Sequence, residues 1–189
     1  MPLLGPDDPL PHRPHRVLLA GTSGSGKTTT AARVAELLGA PHVEIDALFH
    51  GPGWVPRPGF VDDVHRFSAG PAWVTEWQYD QVLQHLAERA DLLVHLDPPR
   101  RVVLRQVVRR TLERRLRRQE LWNGNVEPPL RTFWTDPEHV VRWAWNTHPR
   151  TAARVQALRR DRPDLPVVRL RSRAEVRRWL RGPLARAAG

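Results

Sequence analysis

Apolar positions along the chain fall into two repeating patterns. Short runs read as buried strands at Val17–Ala20, His42–Ile45, Ala72–Glu76, Leu92–Leu96 and Val167–Leu170. Between them the spacing turns helical. Ala31, Val34, Ala35 and Leu38 share one face of a helix over Thr29–Leu38, and shorter helices are predicted from about Phe60 to Ala69 and from Asp80 to Arg89. Asp97-Pro98-Pro99 starts a long helix from Arg100 to Arg118, with Val103, Leu104, Val107, Val108, Thr111 and Leu112 on one face. It runs out near Leu121-Trp122, and Asn123-Gly124-Asn125 signals a turn. Asp136-Pro137 opens another helix, which His148-Pro149 breaks or kinks before Ala152–Arg160 continues it. Ser172 and Glu175 form a capping box for a last helix ending at Leu180. Five strands alternating with helices predict an α/β three-layer fold around a parallel sheet.

The punctuation adds boundaries. Met1–Arg16 holds five prolines and no apolar run. Residues 1–15 therefore read as a disordered lead-in, not a signal peptide, ahead of a single domain over 16–182 and a tail over 183–189. Phe49–Pro58 carries three prolines and two glycines and reads as a loop with an aromatic anchor. There is no run of 18 apolar residues, so no membrane span is expected. The absence of cysteine excludes disulfides and thiolate metal sites and fits a cytoplasmic enzyme.

One stretch carries specific chemistry. Gly21-Thr22-Ser23-Gly24-Ser25-Gly26-Lys27-Thr28 fits G-x-x-x-x-G-K-[ST], with a strand before it and a helix after it. Backbone N–H groups of such a loop turn inward around phosphate, and the helix N-terminus adds partial positive charge. Residues 21–29, Thr29 included, are the expected nucleotide-binding set. Lys27 would reach the β- and γ-phosphates and Thr28 would ligate Mg²⁺. Lys27 is the only lysine, the other 29 basic residues being arginine. A guanine-reading N-K-x-D motif is thereby excluded, and ATP is the expected donor.

Two acids are predicted at strand ends, where ligands sit in open parallel sheets. Asp46 reads as the base for an acceptor hydroxyl or an outer Mg²⁺ ligand, the alternative being a helix N-cap. Glu76 reads as a carboxylate holding Mg²⁺ through water. His50, Arg57 and Arg66 are candidate acceptor contacts. Nine arginines lie between Arg100 and Arg118. Either the far end forms a lid over the transferring phosphate, with Arg114 and Arg118 as the catalytic candidates, or the helix binds nucleic acid backbone. The net charge of +10 suits polyanionic partners of either kind. The loop at Arg171–Arg173 is where an adenine could rest.

These motifs resemble the small bacterial P-loop kinases of the adenylate kinase and shikimate kinase group. Within it, the chain is most similar to those known as DNA topology modulation proteins or AAA-family ATPases. The likeness spans most of residues 16–180. It rests on the loop at 21–28, Asp46-Ala47-Leu48-Phe49 followed by Gly53-Trp54, the Trp73–Tyr79 strand end, Leu96-Asp97-Pro98-Pro99, the arginine helix and Trp143-Ala144-Trp145-Asn146. It implies a strand order 2-3-1-4-5 and phosphoryl transfer from ATP to a small-molecule acceptor, with a nucleic-acid-binding P-loop ATPase or regulator as the rival. One segment departs. Where relatives have Asp-Gly-Asn-Tyr, this chain has Glu76-Trp77-Gln78-Tyr79, which is expected to set a bulky indole where the acceptor approaches.

Overall fold

Each predicted strand is found, all joined in one parallel sheet. The computed structural model of the chain describes residues 3–116, 123 and 140–189, with side chains at all of these except 111–116 and 140–149. Its strands are β1 (Leu3–Leu4), β2 (Arg16–Ala20), β3 (His42–Val43), β4 (Trp73–Glu76), β5 (Leu92–Leu96) and β6 (Val167–Leu170). In space they run β1-β6-β5-β2-β4-β3. Without β1 this is the expected 2-3-1-4-5 order. The helices are α1 (Lys27–Leu38), α2 (Ile45–Phe49), α3 (Phe60–Ser68), α4 (Leu83–Arg89), α5 (Arg100–Leu116), α6 (Val140–Asp161), α7 (Arg173–Trp179) and α8 (Ala185–Ala188).

Alternation along the central strand builds the three layers. Leu18 and Ala20 face a core shared with Ile45, Phe60, Val64, Leu86 and Val155, from α2, α3, α4 and α6. Val17 and Leu19 face the other core, with Ala31, Val34 and Leu38 of α1 and Trp179 of α7. Val17, Leu18, Leu19 and Ala20 have no solvent exposure, as a strand covered on both faces requires. β2 pairs with β4 on one side and β5 on the other, so Ala20 releases the glycine loop at the middle of the sheet's carboxyl edge.

Several expectations need correction. The lead-in is ordered from Leu3: β1 pairs in parallel with Val167 and Val168, Arg13 donates to the Ala188 carbonyl at 2.5 Å, and His15 N–H reaches the Asp91 carboxylate at 3.1 Å. Two residues before Gly5-Pro6 are too short to show a strand period, and prolines suit a chain pinned at points. The tail also packs. α7 passes through a π turn (Leu180–Leu184) into α8, with Trp179 and Leu184 fully buried against α1. α6 runs through His148-Pro149 without interruption; a proline removes one i→i−4 bond while the turns on either side keep theirs. The second strand is shorter than expected. It ends at Val43, because Glu44 already caps α2.

Candidate functional site

The site begins where Ala20 hands the chain to Gly21. Ser25 N–H donates to the Thr22 carbonyl at 3.0 Å, closing the loop, and Thr30 N–H donates to Gly26 at 3.0 Å, starting α1. Gly24 and Gly26 stand at φ 81° and 93°, in the left-handed region that costs other residues strain. Gly26 caps α1 with no side-chain acceptor, and no acid stands in its first turn. The first N–H groups of α1 are therefore left for an outside anion. Thr22 Oγ1 and Ser25 Oγ are buried beside them without a hydrogen-bond partner. Buried hydroxyls of that kind want an acceptor, and phosphate oxygens fit. Thr28 is half-buried in the first turn of α1, whereas Thr29 is exposed.

α5 closes over this loop. A Cβ on Gly24 would collide with the Val107 side chain and lie 3.4 Å from the Val103 carbonyl, so the absence of a side chain lets loop and helix touch. One turn along, Arg110 Nη2 donates to Ser23 Oγ at 3.2 Å. Val103, Val107 and Arg110 share one helical face, and that i, i+4, i+7 spacing was the available signal for Arg110. Attention to the far end of the helix missed it. Arg114 is one turn further on α5, with its side chain outside the described residues; Arg118 lies outside them altogether. Trp143, Ala144, Trp145 and Asn146 sit on α6, again without described side chains.

Lys27 lies within electrostatic reach of Asp46, Glu76 and Arg110. Burial holds its ammonium below the ordinary lysine value; the two carboxylates oppose that, and Arg110 adds to it. The two carboxylates thus converge on the loop, though not both from strand ends. Asp46 sits in the first turn of α2, and its side chain is not a cap. Its Oδ1 accepts from Tyr79 Oη at 2.5 Å and from Gln78 Nε2. Tyr79 Oη is also 3.2 Å from His50 Nε2. Burial, followed by the charge and hydrogen bond of Asp46, drives the phenol's pKa upward.

Glu76 ends β4 and is 2% exposed. Its Oε2 accepts the Ile45 N–H at 3.2 Å, tying down the start of the helix that bears Asp46. Oε1 is 3.6 Å from His42 Nε2 and has no hydrogen-bond partner. Burial alone would push this carboxyl up, but His42 and the Ile45 amide outweigh it and hold the pKa below the ordinary value.

The expected obstruction at Trp77 does not occur. Its indole is 9% exposed, belongs to the core beneath the sheet and donates to the Leu83 carbonyl at 2.9 Å. The β4 alternation sends it there. Arg57 is bound to Asp63 at 3.0 Å and to the Leu48 carbonyl at 3.1 Å, and the exposed Arg66 to Asp63 at 2.7 Å. Both are held by partners within the chain. Arg171 and Arg173 flank Ser172, whose Oγ caps α7 by accepting from Glu175 N–H at 3.2 Å; the Glu175 carboxylate reaches back to Arg171 N–H at 2.7 Å.

No family model matches the chain. Among solved structures it is similar to a gluconokinase from Sinorhizobium meliloti 1021, at 22% identity over 77% of this chain and 98% of that one, with a TM-score of 0.41. A shikimate kinase from Acinetobacter baumannii is 15% identical over 92% and 88%, with a TM-score of 0.48. A sugar kinase from Janibacter sp. HTCC2649 is 19% identical over 99% and 91%, with a TM-score of 0.37. The site's own residues, not these likenesses, carry the functional reading.

Proposed function

We propose that the protein is an ATP-dependent phosphotransferase acting on a hydroxyl of a small-molecule acceptor. The observation that carries this is the meeting of Lys27, on a glycine loop with unpartnered donors, with Asp46, whose Oδ1 is engaged by Gln78 and Tyr79. Asp46 has no second-oxygen partner among the described residues, so Oδ2 is free to take the acceptor's proton. The acceptor oxygen bonds to the γ-phosphorus, the bond to the β–γ bridging oxygen breaks, and ADP leaves. Lys27, Arg110 and the α1 amides face the charge that shifts on the phosphates.

Among the described residues no group of three or more acids or histidines could hold a metal by itself. That suits Mg²⁺, which keeps several waters and binds chiefly to nucleotide phosphates. Thr28 would hold it directly and Glu76 through water; the ion neutralises phosphate charge. Arg114 and Arg118 remain proposed lid residues over the transferring group. No helix among the described residues is long and apolar enough to cross a membrane, and we assign the activity to the cytoplasm. The net charge of +10 favours one rival, a nucleic-acid-stimulated ATPase.

The test is ADP release from ATP and Mg²⁺ across nucleosides, nucleotides, sugars and small hydroxy acids, with Lys27→Ala as the control. Release that rises with one acceptor class and is lost in Lys27→Ala supports the proposal. Release indifferent to every small acceptor but stimulated by DNA or RNA supports the rival.

A further inference from the structure

The segment after β4 does more than connect it to α4. Tyr79 stands at φ 68°, a left-handed conformation that a non-glycine residue seldom adopts and that clusters at functional sites. Its ring is held there by stacking on Phe49, with centroids 3.9 Å apart and planes inclined by 19°. Phe60 packs edge-on against the same ring at 5.3 Å. The phenol oxygen then lies between Asp46 Oδ1 and His50 Nε2. A phenol has one proton, and an ionised carboxylate can only accept. The proton therefore points at Asp46, and His50 donates from Nε2 to the phenol oxygen. Gln78, the preceding residue, adds a second donor to the same Oδ1.

We infer that Tyr79 and Gln78 are positioning residues that fix one oxygen of Asp46, so that the other is presented to the acceptor, with His50 setting the direction of the Tyr79 hydroxyl. This rests on the phosphotransferase reading and deepens it. It also gives a physical role to the segment in which this chain departs from its relatives. Trp77 turns into the core, and the two residues after it turn to the base.

The experiment uses the full chain with Mg·ATP, water serving as the acceptor probe, and reads ADP release and the affinity for a fluorescent ATP analogue. Tyr79→Phe keeps the stacked ring and loses only the hydroxyl. We expect ADP release to fall about tenfold with analogue affinity unchanged, because one charge-assisted hydrogen bond is removed on the acceptor side. Gln78→Ala should act in the same direction. In an Asp46→Asn background Tyr79→Phe should have no further effect, since residues acting through one group are not additive.

Parent-level turnover in Tyr79→Phe, or an equal loss in the Asp46→Asn background, overturns the positioning role alone. Parent ADP release no higher than that of Lys27→Ala with every acceptor class of the screen overturns the phosphotransferase reading, and this proposal with it.

Discussion

At the residue scale, Gly24 shows how one missing side chain joins two elements. Alanine there carries a left-handed backbone, costing about 1–2 kcal/mol, and also meets Val107 and the Val103 carbonyl of α5. At Gly26 only the backbone cost applies, because an added Cβ meets nothing within 4 Å. Gly24→Ala should therefore lose more stability than Gly26→Ala in thermal melts, at about 2–4 °C per kcal/mol for a domain of this size. Adding Val107→Ala should recover part of the Gly24 loss and none of the Gly26 loss; equal losses without rescue would rule out the contact. Glu76 makes a second prediction. Its folded pKa is depressed below 4.5, so its charge adds stability above that value, and the stability is shed as pH falls through the folded value. Glu76→Gln should cost about 1–3 kcal/mol at neutral pH. Its melting temperature should then fall less than the parent's as pH drops below 4.5. Parallel curves for the two proteins would refute it.

At the element scale, α5 is the piece that encloses the glycine loop. Val103 and Val107, both buried, hold the helix on Gly24, and Arg110 follows onto Ser23. Removing a charged donor to phosphate costs about 1.5–3 kcal/mol, so Arg110→Ala should weaken ATP binding about tenfold to a hundredfold. Arg105→Ala, on an exposed part of the helix, should leave it unchanged. Isothermal titration with Mg·ATP decides this, and equal affinities in the two variants would refute it. The strands and the loop at 21–28 were legible because buried runs and fixed glycine positions leave a local signature. Arg110 was not, because nine arginines of one type hide which of them faces inward. Asp46 was expected at a strand end and stands instead in the first turn of α2. Val43 ends the strand, and the carboxylate is oriented by Gln78 and Tyr79, more than thirty residues away in sequence. For Trp77 the sequence shows the size of the side chain and not its direction, which the pleat continuing from β4 sets.

At the scale of the whole molecule, the positive charge is not spread evenly. Between Arg100 and Arg118, nine arginines against the single Glu113 leave +8 of the total +10, so the rest of the chain is nearly neutral. Elsewhere some arginines are matched in pairs: Arg154 with Asp80 at 2.6 Å, Arg162 with Asp164 at 2.6 Å, Arg178 with Asp7 at 3.1 Å. Seven of those nine arginines, with Glu113, lie on α5, the helix that covers the glycine loop. A field concentrated there would draw a nucleotide polyphosphate to the glycine loop. Duplex DNA that binds at all should bind across this helix and compete with ATP. Its affinity should fall with log salt by about 0.9 per phosphate neutralised, becoming weak near 0.15 M. Analogue binding should survive the same salt better if, as proposed, loop amides and Lys27 take the phosphates in a partly buried site where screening is reduced. The measurement is competition between short duplex DNA and a fluorescent ATP analogue from 0.05 to 0.3 M salt, with ADP release followed in parallel. DNA that binds alongside the analogue, or that raises ADP release at 0.15 M, would show that the arginine helix serves a nucleic acid. Displacement at low salt that disappears at high salt, with ADP release never stimulated, would show that its charge serves the nucleotide.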